Sequence, residues 1–172
     1  MKLKSVKVGK ISDEVRSLYN CAFPHFERIP EKNLERAMVN GATIREYFDG
    51  DVFVGFTYEY VHNDMVYLGY FATMPSVRGK GYGKKILDAF RSFHQGKKIF
   101  LLVESLEPKA DNIDMRMRRI NFYIRNGCND PRFRAKSDGY WYDCLYMQGA
   151  PTREEVVDII HRFEKSHSGF AS

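Results

Sequence analysis

Between Met65 and Glu104 the hydrophobic period changes twice, and this stretch restricts the possible folds more than any other. Met65 to Thr73 reads as an apolar strand, closed at Met74-Pro75 where proline forbids further ladder pairing. Gly81 to Phe93 then sets Ile86, Leu87, Phe90 and Phe93 on one helical face, with Gly96 as terminator, and Lys98 to Glu104 is again a short apolar run. Strand, glycine loop, helix and strand at this length make a β-α-β unit, whose two strands lie parallel with a right-handed crossover.

The flanking segments extend that unit into a mixed sheet. Leu3 to Val8 predicts a first strand, and Ser12 stands as N-cap to a helix carrying Val15, Leu18, Tyr19 and Ala22 that ends near Phe23-Pro24. Pro30 opens a second, short helix with Leu34, Ala37 and Met38 on one stripe and Gly41 as its stop. Thr43 to Phe48 and Val52 to Val61, joined by Asp49-Gly50, complete a three-stranded antiparallel meander with Met65 to Thr73. Downstream, Asp111 caps a helix with Ile113, Met117, Ile120 and Ile124 inward, closed by Gly127. Phe133 to Lys136 and Tyr140 to Gln148 form a hairpin around Ser137-Asp138-Gly139. Thr152 and Glu155 make a capping box for a last amphipathic helix with Val156, Val157, Ile160 and Phe163, which packs on the domain or on a second copy in a homodimer.

A chain of 172 residues with 44% hydrophobic content can bury one core, so the expectation is a single domain over residues 1–172, with 149–172 as an appended C-terminal helix. The first ten residues hold four lysines and no signal-like apolar core, and no long apolar run follows, which makes the cytoplasm the expected location and a membrane role not expected. Cys21, Cys128 and Cys144 are odd in number and widely spaced, with no histidine at metal-ligand spacing; they read as reduced thiols, and no metal site is expected. The formal net charge of +5 suits a polyanionic partner, but the basic residues are dispersed, which argues against a nucleic-acid arm and leaves the phosphates of a nucleotide cofactor.

A site for such phosphates is legible in Val77-Arg78-Gly79-Lys80-Gly81-Tyr82-Gly83-Lys84. Lying between a strand and a helix, its N–H groups and the helix N-terminus can converge on an anion, with Arg78, Lys80 and Lys84 adding positive charge. The alternative is a tight turn with a helix cap. A Walker A loop needs Gly-Lys-Ser or Gly-Lys-Thr where this chain has Gly83-Lys84-Lys85, and a Rossmann fingerprint needs GxGxxG where this chain has GxGxG.

Arg78-Gly79-Lys80-Gly81-Tyr82-Gly83 resembles the Arg/Gln-x-x-Gly-x-Gly/Ala signature of the GNAT acetyltransferases, and the order of elements over roughly residues 3 to 148 is similar to theirs. The resemblance implies a three-layer α/β (mixed α+β) fold, with a central, mostly antiparallel mixed sheet, a splayed parallel pair and flanking helices, to which this chain adds its C-terminal helix. It implies that acetyl-CoA is the cosubstrate, that residues 78–84 hold the coenzyme A pyrophosphate, and that a bulge around Phe71, Ala72 and Thr73 offers backbone groups to the pantetheine arm.

Acyl transfer from a thioester to an amine needs a neutral nucleophile, a stabilised oxyanion and a proton for the departing thiolate. The segment Asn121-Phe122-Tyr123-Ile124-Arg125-Asn126-Gly127 resembles the family's motif in which tyrosine precedes glycine by four residues, which implies Tyr123 as general acid; alternatively it packs beside Ile120 and Ile124. Glu104, at the carboxyl end of an apolar strand, is the first candidate base, with Glu59 as second and an ordered water as a substitute. Arg116 stands where many relatives carry asparagine, and Tyr140, Trp141 and Tyr142 are candidates for lining an acceptor pocket.

The leading expectation is thus an N-acetyltransferase that passes acetyl from acetyl-CoA to a primary amine, of a small molecule or a peptide, by direct attack in a ternary complex. The alternatives are a non-catalytic module binding CoA or another nucleotide on the same fold, and a basic nucleic-acid-binding protein.

Overall fold

Local signals set most element boundaries in the computed structural model, which describes residues 3–168. The strands are β1 (Leu3–Val8), β2 (Ala42–Asp49), β3 (Val52–His62), β4 (Met65–Thr73), β5 (Lys98–Val103), β6 (Arg134–Ser137) and β7 (Tyr140–Gln148). The helices are α1 (Asp13–Ala22), α2 (Glu31–Ala37), α3 (Tyr82–Phe93), α4 (Ile113–Arg125) and α5 (Arg153–His167). The Ser12 hydroxyl accepts from the Val15 N–H and starts α1, while Thr152 and Glu155 exchange both bonds of a capping box at α5. Asp138 and Gly139, at φ 46° and 83°, turn the β6–β7 hairpin.

The strands form one sheet in the order β1-β2-β3-β4-β5-β7-β6, in which β4 and β5 are the parallel pair and the other neighbours are antiparallel. This is the expected mixed three-layer architecture. One face carries α1, α2 and α5 over Phe56, Tyr58, Tyr60 and Tyr67; the other carries α3 and α4 over Val66, Leu68, Ile99 and Leu101. The terminal helix packs on its own chain. Phe163 lies among Tyr58, Tyr60 and Tyr67, Lys98 Nζ reaches Glu155 at 2.8 Å, and the last turn is tied down by a 2.6 Å bond between His167 Nε2 and Tyr58 Oη. Among the described residues no helix is long and apolar enough to cross a membrane.

Helix α4 departs from expectation. Its N-cap is Asn112 rather than Asp111, and its apolar stripe is only partly inward: Ile120 packs against the core, but Met117 and Ile124 are 48% and 44% exposed, and Tyr123 is its one buried side chain. The cause lies in the sheet, because α4 covers the end where β4 and β5 have parted and offer less surface to bury against.

Candidate active site

Strands β4 and β5 pair only over Met65–Tyr67 and Lys98–Phe100. Beyond that, β4 stays on the ladder of β3 and β5 on that of β7, so the two lean apart and the inner edge of β4 has no strand partner. The irregularity lies earlier than Phe71, Ala72 and Thr73. Tyr58 faces Tyr70 while Glu59 faces Leu68, leaving Gly69 as the extra residue of a bulge. That one residue shifts the alternation, so that Tyr67 and Tyr70 both face the α1 and α5 side and Leu68 and Phe71 the α3 and α4 side. Phe71, Ala72 and Thr73 are paired with Thr57, Phe56 and Gly55 along one edge only.

At the exit of β4 the chain makes a short 3-10 turn over Pro75–Val77 and enters α3 through Gly79 and Gly81, at φ 78° and 84°, a conformation that side chains with a β-carbon disfavour. A β-carbon at either position would meet nothing within 4 Å, so the loop is open. Among the described residues, no hydrogen bond takes up the main-chain N–H of Gly79, Gly81, Tyr82, Gly83 or Lys84. Arg78 and Lys80 are exposed beside them, whereas Lys84 turns along the helix to Asp88 at 2.7 Å. The Tyr82 ring packs under the loop with Tyr47, Val54 and Ile86 and its hydroxyl donates to Asp49, so only its main chain faces the open side. Gly83 allows a close approach, since a β-carbon there would lie 2.9 Å from the Phe122 ring. The residues present fit a diphosphate: unpaired amides at a helix N-terminus, no obstructing side chain, and two cations at the rim.

The opening between β4 and β5 holds a cavity of about 470 Å³ that reaches both faces of the sheet. Its walls bring together Phe71, Glu104 and Tyr123, whereas Ala72, Thr73 and residues 78–84 lie outside it. Tyr123 is 8% exposed, and burial pushes its hydroxyl well above the usual phenol range, with Arg119 acting in the opposite direction. It stays protonated at neutral pH. Glu104 Oε2 is held by Arg116 Nη2 at 2.8 Å, and Arg119 Nη1 lies 3.9 Å from Oε1. Arg116 is itself fixed by Asn112 Oδ1 at 2.8 Å and the Ser105 carbonyl at 2.9 Å. Tyr140 and Tyr142 line the cavity; Trp141, pointing the other way along β7, does not.

Glu59 is excluded from this site. It does not line the cavity and lies under α3, fully buried, with Arg45 at 2.8 Å and His94 at 3.1 Å. Two residues of the wall carried no signal in the sequence: Glu27, in a 3-10 turn between α1 and α2, and Asn33, whose Oδ1 is buried without a hydrogen-bond partner. Burial, and then the charge of Glu104, push the Glu27 carboxyl above the usual carboxylate range, against Arg119 and Arg116.

In fold, the chain is similar to a GNAT-family acetyltransferase from Bacteroides thetaiotaomicron, with a TM-score of 0.74 and 23% identity over 96% of this chain and 97% of that one. It is also similar to an acetyltransferase from Bacillus subtilis solved in complex with CoA, with a TM-score of 0.60 and 16% identity over 87% of this chain and 100% of that one. An aminoglycoside 6'-N-acetyltransferase complexed with coenzyme A gives 0.64 and 13% over 87% and 99%. No curated protein is similar to it in sequence. A sequence profile described as the acetyltransferase (GNAT) family matches residues 12–127, a span that runs from the N-cap of α1 through the glycine loop to the end of α4. The chain therefore belongs to the GNAT family of acetyl-CoA-dependent acetyltransferases.

Proposed function

We propose that the protein transfers the acetyl group of acetyl-CoA to a primary amine by direct attack in a ternary complex. The observation that carries this reading is the cavity that passes between β4 and β5, because it gives Tyr123 and an acid-lined chamber a common space. The amides of residues 78–84 hold the pyrophosphate, with Arg78 and Lys80 beside it, and the inner edge of β4 at Phe71, Ala72 and Thr73 pairs with the pantetheine arm. This aims the thioester along the strand opening toward Tyr123. As the carbon–sulfur bond breaks, Tyr123 passes its proton to the thiolate, a role suited to a phenol kept neutral by burial.

The chamber selects for a cation. Glu27, Glu104, Asp138 and Glu164 line it against Arg28 and Arg119, in a chain whose net charge is +5. Phe26 and Tyr140, with ring centroids 5.3 Å apart, stand beside these acids and offer π-faces to an alkylammonium. Purified protein incubated with acetyl-CoA and a panel of primary amines should release free thiol in an amine-dependent manner, and CoA alone should raise the melting temperature. If millimolar CoA produces no stabilisation, this reading has no basis.

A further inference from the structure

We propose that Glu27 is the base that takes a proton from the incoming ammonium group. This rests on the amine-acetylation reading above and assigns to the turn between α1 and α2 a step for which the strand-end carboxylate, Glu104, was the first candidate.

The turn is held rigidly. The Glu27 N–H donates to the Pro24 carbonyl at 3.0 Å, and its carbonyl accepts a short bond from Tyr70 Oη. Tyr19 Oη accepts from the Ile29 N–H at 2.6 Å, so tyrosines from α1 and β4 tie down the main chain at Glu27 and at Ile29. The Gly69 bulge is what turns Tyr70 to this face. The Glu27 carboxylate itself has no hydrogen bond and no ion pair among the described residues. Glu104 differs in this respect, since one of its oxygens is committed to Arg116 and the other faces Arg119.

The charged and titratable groups that act with Glu27 are Glu104 from β5, Arg116 and Arg119 from α4, Tyr67 from β4 and Tyr142 from β7, while Glu164 and His167 of α5 and Asp138 of the β6–β7 hairpin line the same cavity. Glu104 and burial favour the protonated form of Glu27, and they outweigh the two arginines. A carboxylate poised in this direction is a better proton acceptor than one in water. The geometry stands beside this: Glu27 and Tyr123 line the same cavity between β4 and β5, so the proton acceptor and the proton donor of the reaction share one space.

The protons balance. The ammonium gives one proton to Glu27 and becomes a neutral amine, whose nitrogen forms a bond to the thioester carbon. The carbon–sulfur bond then breaks, Tyr123 protonates the sulfur, and the second proton lost by nitrogen restores Tyr123. The products are the amide and CoA thiol, and the proton on Glu27 leaves to solvent.

The test is steady-state thiol release from acetyl-CoA with n-butylamine and with 1,4-diaminobutane, from mildly acidic to alkaline pH, for wild type, Glu27→Gln, Glu27→Asp and Glu104→Gln. Glu27→Gln should lose about 10²-fold or more in kcat and lose the acidic limb of the pH profile, with the KM for acetyl-CoA and the stabilisation by CoA unchanged. Glu27→Asp should recover part of the rate, and Glu104→Gln should keep the acidic limb. The proposal is overturned if Glu27→Gln turns over like wild type, or if it is slow but retains the acidic limb. If wild type releases no thiol with any primary amine although CoA stabilises it, the amine reading itself fails and takes this step with it.

Discussion

The two ends of the cleft are built from different materials. At the loop before α3 the groups proposed to bind are main-chain amides of one short, contiguous segment, open to solvent and flanked by exposed Arg78 and Lys80. At the chamber the binding groups are side chains brought from the α1–α2 turn, β4, β5, β7 and α5, half-buried and locked by one another. An amide cradle needs only the backbone path, so its side chains are free to vary. A chamber of interlocking side chains is specific, and each substitution is felt. On the proposed reading, the end for acetyl-CoA rests on backbone and the end for the acceptor on side chains.

The largest effect should come at the seam between the two ends. Tyr123→Phe removes one hydroxyl and keeps the ring that packs near Phe71 and Phe122, so folding and CoA binding should persist. The chemical step should slow by about 10²-fold or more, the usual contribution of a positioned acid. Single-turnover kinetics separates this from product release. An unchanged rate would make the seam a packing contact and nothing more.

Removing a wall of the chamber should cost stability and leave the cradle intact. Phe163 is 5% exposed and lies against Tyr58, Tyr60 and Tyr67, and it contacts the backbone at the Gly69 bulge. Phe163→Ala should destabilise the fold by about 3–5 kcal/mol in denaturant titration. Its amine KM should rise and its CoA affinity should hold. A parallel loss of CoA affinity would show that the two ends are not separable.

This contrast also explains what could be read from the residues in order. The period switch between Met65 and Glu104, the Ser12 cap and the Thr152–Glu155 box are local rules, and each element they predict is present. The glycine loop was legible for the same reason, because the role proposed for it rests on consecutive backbone groups. The inward stripe of α4 was misjudged in part, since periodicity says which residues share a face but not whether the sheet below has opened. Glu59 and Trp141 were drawn into the candidate site by position along strands, and strand parity with bulges at other residues decides the face. Glu27 and Asn33 had no local signal. Glu27 becomes a candidate only because the Gly69 bulge and two distant tyrosines hold its turn at the strand opening, and Asn33 follows it there on α2.

If the cradle works through backbone, its side chains should matter little. Arg78 is exposed and has no ion pair among the described residues. Arg78→Ala should weaken CoA binding by about 1 kcal/mol or less, within the range of exposed charge pairs. The difference from wild type should shrink as salt is raised, which calorimetry at two ionic strengths would show. A loss that is large and indifferent to salt would mean that the cradle relies on a side chain, contrary to the comparison.

The smallest effect concerns what the chamber costs the fold. Burial and Glu104 raise the Glu27 carboxyl above its ordinary 4.5, so the folded state holds this proton more tightly than the unfolded chain does. The sign follows from linkage: the stabilisation is complete below about 4.5 and is lost as pH rises through the folded value, which leaves an ionised, half-buried carboxylate at neutral pH. Glu27→Gln, which cannot ionise, should therefore melt at a higher temperature than wild type at pH 7, and the two melting curves should converge as the pH falls toward the carboxylate range. The glycine loop, with no buried carboxylate of its own, should show no such exchange of stability for function. Equal melting temperatures at both pH values would mean that the Glu27 carboxylate is fully solvated, and the chamber would then lose its claim to differ from the open loop.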